Sequence, residues 1–124
     1  MTTKTLVMLA AGLEVATGIA LIVSPTLVVR VLFGVDLTAG GIAVSRVGGF
    51  ALLSLAIACR PRNDAAVQAL FVFNLLTTLY LLYLKVGEAF VSHFLLPACI
   101  LHAVLAFLLA RPACQNGRRA VSGD

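Results

Sequence analysis

Charged side chains are scarce in this chain of 124 residues, and tryptophan is absent. Lysine and arginine number 9 in total, aspartate and glutamate number 5, and charged residues make up 11% of the sequence. In an average soluble domain about a quarter of the residues are charged. Hydrophobic residues make up 61%, so too little polar surface remains to cover a soluble core. The composition excludes an ordinary soluble domain and indicates a single small integral membrane unit.

Residue patterns typical of catalysis or metal binding are missing as well. The three cysteines, Cys59, Cys99 and Cys114, lack the Cys-x-x-Cys spacing of metal and redox sites. The two histidines, His93 and His102, would face opposite sides of a helix and cannot share a haem or a metal ion. No glycine-rich phosphate loop is present, and Ser45 lies next to Arg46, which is not a general base. The sequence therefore predicts no enzyme, no catalytic residue and no metal site.

Four apolar stretches cover most of the chain. Each is close to the roughly 20 residues that an α-helix needs to cross about 30 Å of hydrocarbon. They run over residues 6–23, 41–59, 66–86 and 91–110. The connection between the second and third spans is short, and so is the one between the third and fourth. The helices that each connection joins must therefore be antiparallel. The sequence predicts an all-α fold, an antiparallel bundle of four transmembrane helices over residues 1–111, with a disordered cytoplasmic tail over residues 112–124.

A short amphipathic segment lies between the first and second spans. Ser24 is a favourable N-cap residue, Pro25 suits the first helical position, and Gly34 is a typical helix stop. Arg30 lies on a different face from the apolar residues that recur at helical spacing, namely Leu27, Val28, Val31, Leu32 and Val35. The pattern predicts a short helix in the membrane interface and not a fifth span.

The distribution of lysine and arginine predicts the orientation. With four spans, the N-terminus, the connection at residues 60–65 and the C-terminus lie on one side of the membrane. The basic residues on that side are Lys4, Arg60, Arg62, Arg111, Arg118 and Arg119, and those on the other side are Arg30 and Lys85. By the positive-inside rule both termini are cytoplasmic, in a bacterial-type inner membrane. The formal net charge of +4 thus reflects topology, and no nucleic-acid partner is predicted.

Polar side chains from several spans fall near one depth of the membrane. Glu14 lies in the middle of the first span, and Asn74 and His102 have similar depths in the third and fourth. Arg46 enters the second span from the external end, and its long side chain can extend towards the centre. Small residues lie one turn away from most of these positions, which places the polar groups inside the bundle. We therefore predict a buried polar cluster of Glu14, Arg46, Asn74 and His102.

The cluster has two interpretations, which the sequence leaves open. In the first, a Glu14–Arg46 ion pair joins the first two spans, and Asn74 and His102 complete the hydrogen bonding. In the second, the cluster is a polar pocket that exchanges protons or holds the head group of an apolar ligand. An ionisable group at the centre of a membrane helix costs about 2.5–3.5 kcal/mol, which is a reason to expect a function.

A ligand in such a pocket would need apolar walls. Tyr80, Phe94 and Phe107 are the candidates for this ligand pocket. A quinone would suit it, with the head group near His102 or Tyr80. Because no residue pattern supports a quinone, no cofactor is predicted.

Short stretches of the chain resemble the DoxX-like group of small four-helix membrane proteins. The similar parts are "GLEVATG" around Glu14, the Ser24-Pro25 break, "LFG" at residues 32–34 and "SRVGGF" at residues 45–50. The likeness covers most of the chain through short patterns. It implies the four-helix architecture and a role as an accessory subunit of a membrane redox system or as an assembly factor.

The first span also resembles that of the small multidrug resistance transporters, which carry an essential glutamate there. "LEVATG" around Glu14 is the similar part. The chain departs from that family in having no tryptophan, no glycine-rich packing motif in the third span, and Arg46 at membrane depth. This second resemblance implies a proton-coupled exporter in which Glu14 is the exchanging carboxylate.

The sequence thus predicts a small integral membrane protein that serves as an accessory or interaction subunit of a redox-linked membrane system. The alternative is a proton-coupled transporter of small molecules. The predicted partners are the lipid bilayer and either a larger membrane protein or a second copy of the chain. The two halves show no internal repeat of the kind that transporters use for alternating access, which favours the accessory role.

Overall fold

The computed structural model describes residues 2–59, 64–87 and 92–122, and within these ranges the chain forms five α-helices and no strand. Four of the helices are long and apolar enough to cross a membrane, which confirms the predicted all-α, four-span architecture. In chain order the helices are α1 (Thr3–Val23), α2 (Pro25–Phe33), α3 (Ala39–Ala58), α4 (Asp64–Val86) and α5 (Leu95–Ser122), and α2 is the short one. The protein is therefore a multi-pass membrane protein.

Threonine caps set the first residues of α1 and α3. The hydroxyl group of Thr2 accepts a hydrogen bond from the amide of Thr5 at 3.3 Å, and that of Thr38 accepts one from the amide of Gly41 at 3.2 Å. Each cap satisfies an amide that has no partner within the first helical turn. Both helices consequently begin a few residues earlier than hydropathy predicted.

The predicted short helix between the first two spans is confirmed as α2. Pro25 occupies its first turn, and Gly34 ends it in the left-handed conformation with φ 74°. The amide of Gly34 donates to the carbonyl of Arg30 at 2.9 Å, and the guanidinium group of Arg30 pairs with the exposed carboxylate of Asp36. Pro25 is the only buried residue of α2, so the helix rests on the bundle surface.

Helix α1 packs mainly against α3, and two glycines form the closest contact between them. A Cβ atom added to Gly18 would lie 2.9 Å from the carbonyl oxygen of Gly49, and one added to Gly49 would lie 2.7 Å from that of Gly18. Only glycine allows the two backbones to approach so closely. Because the helices are antiparallel, this contact also sets which residues of α1 and α3 lie opposite each other.

Helix α4 packs mainly against α5, again antiparallel. The thiol of Cys99 donates to the carbonyl of Thr78 at 3.7 Å, and Leu81 packs with Leu95 and Cys99 one turn further on. Phe33, at the end of α2, packs against this group.

We call the side of the bundle where α1 and α4 begin the terminal side, and we call the other side of the bundle the opposite side.

The α1–α3 pair and the α4–α5 pair meet in a core on the terminal side. We call this group the terminal-side core. It consists of Leu6, Val7 and Ala10 of α1, Cys59 after α3, Ala66, Val67 and Leu70 of α4, and Leu105, Leu109 and Ala113 of α5. Its buried surface is entirely apolar, apart from the thiol of Cys59.

Helix α5 differs from the predicted fourth span at both ends. It begins at Leu95, and it continues through Pro112 to Ser122, over residues for which the sequence predicted a disordered tail. A proline inside a helix removes one backbone hydrogen bond, but here the next residue, Ala113, is buried in the terminal-side core. That contact holds the helix past the proline. Arg60 and Arg62, on which the predicted orientation depends, lie outside the described residues.

The glycine contact generates a matched pair of substitutions in α1. Gly18→Ala should lower the free energy of unfolding by about 1–3 kcal/mol, because the new methyl group meets the backbone of Gly49 and forces the helices apart. Gly12 has nothing within 4 Å of an added Cβ atom, so Gly12→Ala should be neutral or slightly stabilising. Denaturation in mixed detergent micelles measures both, and equal stabilities of the two variants would contradict the contact.

Candidate functional site

Glu14, Asn74 and His102 lie in one layer of the bundle. Glu14 follows Ala10 of the terminal-side core by one turn, and Asn74 follows Leu70 of the same core by one turn. Counted at 1.5 Å per residue, both side chains are about 15 Å from the terminal-side ends of their helices, which is half the thickness of a bilayer core. The side chains of Glu14 and Asn74 are 1% and 0% exposed.

Asn74 joins α4 to α5 through a hydrogen bond with His102. The amide nitrogen of Asn74 donates to the carbonyl of Leu70 at 2.8 Å, and its Oδ1 lies 2.8 Å from Nδ1 of His102. Because an amide oxygen only accepts hydrogen bonds, Nδ1 of His102 carries the hydrogen and donates it. Nε2 of the half-buried imidazole is therefore the nitrogen that can accept a proton. Phe73 packs edge-on against the ring, with centroids 6.1 Å apart.

One carboxyl oxygen of Glu14, the buried Oε1, has no such partner in the described residues. A buried polar atom without a partner is costly, so native proteins retain few of them. Glu14 therefore has an open position for a proton, a water molecule or a donor group of a ligand.

Arg46 does not belong to this buried layer, which corrects the predicted cluster. Its side chain is exposed, and its Nε donates to the carbonyl of Ile22 at 3.3 Å. The Gly18–Gly49 contact places Arg46 opposite Leu21, two helical turns or about 10 Å from the level of Glu14. The Glu14–Arg46 ion pair is not formed. Counting depth along one span could not reveal this, because the register between α1 and α3 depends on their glycine contact.

The residues predicted to wall a ligand pocket do not come together. Tyr80, Phe94 and Phe107 are all exposed on the bundle surface. Phe94 precedes α5, whereas Phe107 lies about 20 Å further along that helix, so the two rings cannot contact one small ligand. Aromatic residues are common in apolar helices, and their sequence positions carry little information about a pocket.

Phe107 does line a surface groove between α4 and α5. The groove has a volume of about 280 Å³. It is lined by Phe71, Leu75, Thr78, Ala103, Ala106, Phe107 and Ala110. The hydroxyl group of Thr78 already donates to the carbonyl of Asn74 at 2.8 Å. The groove is thus apolar, and neither Tyr80 nor Phe94 contributes to it.

The two buried cysteines, Cys59 and Cys99, act as small hydrophobic residues. All three cysteines of the chain are free. Burial raises the pKa of the Cys59 thiol, which disfavours the reactive thiolate. Cys114 is exposed. Within the described residues, no group of three histidine, cysteine, aspartate or glutamate side chains could hold a metal ion.

Sequence reasoning missed Ser92, which connects α2 to the start of α5. Its hydroxyl group donates to the carbonyl of Val31 at 2.6 Å and accepts from the amide of Phe94 at 3.2 Å. Val31 is far away in the sequence, so no local pattern pointed to this bond.

Comparisons with protein-family models, curated proteins and solved structures give no match to this chain. The geometry of the Glu14, Asn74 and His102 layer is consequently the main guide to function.

The bond between Asn74 and His102 should be measurable in a double-mutant cycle. Asn74→Ala and His102→Ala should show a coupling free energy of about 0.6–1.7 kcal/mol, the range of interhelical hydrogen bonds in membranes. The exposed His93 supplies the control, since Asn74→Ala and His93→Ala should be additive. Additive effects in the first pair would show that the hydrogen bond does not stabilise the fold.

Replacing Arg46 tests the revised position of its side chain. Arg46→Gln should change the free energy of unfolding by less than about 0.5 kcal/mol, because the guanidinium group is exposed and pairs with no carboxylate in the described residues. It should also leave the infrared carboxyl band of Glu14 unchanged. A shifted band, or a loss of several kcal/mol, would mean that Arg46 and Glu14 interact after all.

Proposed function

We propose that this membrane protein is proton-coupled and that Glu14 binds and releases a proton inside the bundle. The observation that carries the proposal is the buried Oε1 atom of Glu14, which has no partner in the described residues. A carboxyl group held by an arginine in a tight ion pair would stay charged. Glu14 is not held in this way, so it is free to change its protonation state.

His102 is the second proton-binding group of the layer. Its Nδ1 is occupied by Asn74, which fixes the ring and leaves Nε2 able to accept a proton. The half-buried ring lies at the depth of Glu14, on a different helix. A carboxyl group and an imidazole at one depth form the kind of intramembrane pair through which protons are relayed in pumps and transporters.

The resemblance of the first span to small multidrug resistance transporters supports the same function. In that family a glutamate of the first helix exchanges protons for substrate, and Glu14 occupies the similar "LEVATG" stretch. The chain lacks an internal repeat, so alternating access would require a second copy or a partner. The substrate class that this resemblance implies is a small molecule.

A second candidate function is the accessory or interaction subunit that the DoxX-like resemblance implies. The observation in its favour is the position of α3, which packs against α1 and leaves most of its apolar surface uncovered. The exposed side chains include Val44, Val47, Phe50 and Ile57. In this case a larger membrane protein would cover α3, the Asn74–His102 bond would be structural, and no quinone or other cofactor would be needed.

We further propose that the protein lies in a bacterial-type inner membrane with its terminal side in the cytoplasm. The positive-inside rule supports this orientation, because most lysines and arginines lie on the terminal side of the four spans.

Infrared difference spectroscopy of the protein in nanodiscs tests the proton-coupled function. A pH change should produce a carboxyl band, and Glu14→Gln should remove it. Glutamine has the same shape as a neutral glutamate, so this variant should retain its fold. Reconstituted vesicles should show proton movement with the wild-type protein and none with Glu14→Gln.

Asp36→Asn provides the matched control, since it removes an exposed carboxylate that pairs with Arg30. The Glu14 band should persist in this variant. If the wild-type protein shows no pH-dependent carboxyl band, or if the band survives Glu14→Gln, the proton-coupled function is refuted. The accessory role would then be the better account.

A further inference from the structure

The packing around Glu14 differs between its two sides. On the terminal side, the same face of α1 carries Leu6, Val7 and Ala10, which are 6%, 1% and 0% exposed. They pack in the terminal-side core against Leu70 and Leu109, both 0% exposed. Well-packed apolar side chains leave no room for water and offer it no hydrogen bonds. The terminal side of Glu14 is closed by a dry layer about two helical turns deep.

On the opposite side of Glu14 the same face of α1 is more open. Thr17, Leu21 and Ser24 follow Glu14 at helical spacing, and all three are only half-buried. Two of them carry hydroxyl groups. Gly18 is buried, and both Gly18 and Leu21 border α3 at Gly49, so the open part of this face lies on the side away from α3.

Among the described residues, the buried packing of the α4–α5 pair against α1 likewise lies on the terminal side of Glu14 and not on the opposite side. Its second buried cluster, formed by Leu81, Leu95 and Cys99 with Phe33, Leu84 and Ala98, contains no residue of α1. Thr77 of α4 and His102 of α5 are half-buried near the layer of Glu14. The buried packing that joins α1 to this pair is therefore confined to the terminal side.

Helix α2 lies at the opposite-side end of this more open region. It reaches from the end of α1 towards the start of α5, where Ser92 binds the carbonyl of Val31. Only Pro25 of α2 is buried, and Phe33 at its end packs against the α4–α5 cluster, so the helix lies on the surface of the bundle.

We infer that Glu14 is reached by water and protons from the opposite side of the membrane only, along the α1 face that carries Thr17, Leu21 and Ser24. This inference rests on the proposed function, because it defines the direction from which the proton-binding site is loaded. In the orientation proposed above, the route leads to the external side.

The positions of the ionisable groups near Glu14 are consistent with a water route on the opposite side. His102 of α5 lies in the same layer, and Arg46 of α3 lies further towards the opposite side, at the level of Ile22. On the terminal side, the nearest titratable group among the described residues is the buried thiol of Cys59. No described charged side chain of α2 or α4 lies at the depth of Glu14.

Cysteine accessibility in sealed vesicles tests the route. The background is the full-length chain with Cys114→Ser, which removes the exposed thiol and keeps buried Cys59 and Cys99. Thr17→Cys probes the proposed route, and Ala10→Cys probes the closed terminal side. Ala16→Cys, at nearly the same depth on an exposed face, is the matched control for exposure to lipid. A charged, membrane-impermeant maleimide is added to either side, and mass spectrometry locates the modified residue.

The thiolate is the reacting form and needs water, so labelling reports hydration. Thr17→Cys should react from the opposite side at least about tenfold faster than Ala10→Cys or Ala16→Cys, and should not react from the terminal side. Lys4→Cys and Val23→Cys, exposed at the two ends of α1, establish which side faces outward.

Labelling of Ala10→Cys from the terminal side would overturn the inference, and so would equal rates for Thr17→Cys and Ala16→Cys. These results do not depend on whether Glu14 changes its protonation state. Two-sided labelling in a protein whose Glu14 band responds to pH would refute the one-sided route alone. A missing Glu14 band with one-sided labelling would refute the proton-coupled function alone.

Discussion

The contact between Gly18 and Gly49 is the interaction on which the polar site depends. Because neither residue has a side chain, the backbones of α1 and α3 approach until each carbonyl oxygen lies within 3 Å of the place where the other residue's Cβ atom would be. This closeness sets the register of the two helices and places Arg46 at the level of Ile22. Among the described residues, Glu14 consequently has no counter-ion at mid-membrane depth. A register shifted by two turns would have brought Arg46 to the level of Glu14.

The low dielectric constant of the membrane interior makes an unpaired polar side chain costly, and this is why the pairing of Glu14, Asn74 and His102 matters. Polar groups there must find partners within the protein, and Asn74 and His102 do so with each other. Oε1 of Glu14 has no partner among the described residues, and this distinguishes it from Asn74 and His102. Apolar side chains pack on the terminal side of Glu14, and the α1 face with Thr17 and Ser24 lies on the opposite side. This difference determines from which side of the membrane water can reach the carboxyl group. A buried carboxyl group can couple proton binding to one side of the membrane only when water and protons reach it from that side.

Much of the fold could be predicted from local patterns. The four spans follow from hydropathy, and the limits of α2 follow from Pro25 and Gly34, since proline and glycine act through their own backbone geometry. The common depth of Asn74 and His102 follows from counting residues along each helix. The end of α5 could not be predicted in this way, because helix beyond Pro112 depends on the burial of Ala113 against other helices.

The sequence by itself determined that the chain enters a membrane, how many times it can cross, and which polar residues reach mid-membrane depth, because these depend on composition and on the rise per residue. The tertiary structure alone decided which polar residues meet. Asn74 bonds to His102, Arg46 donates to a backbone carbonyl, and Oε1 of Glu14 has no partner in the described residues. Such pairings depend on the register and rotation of one helix against another, and those are set by contacts between residues distant in the sequence.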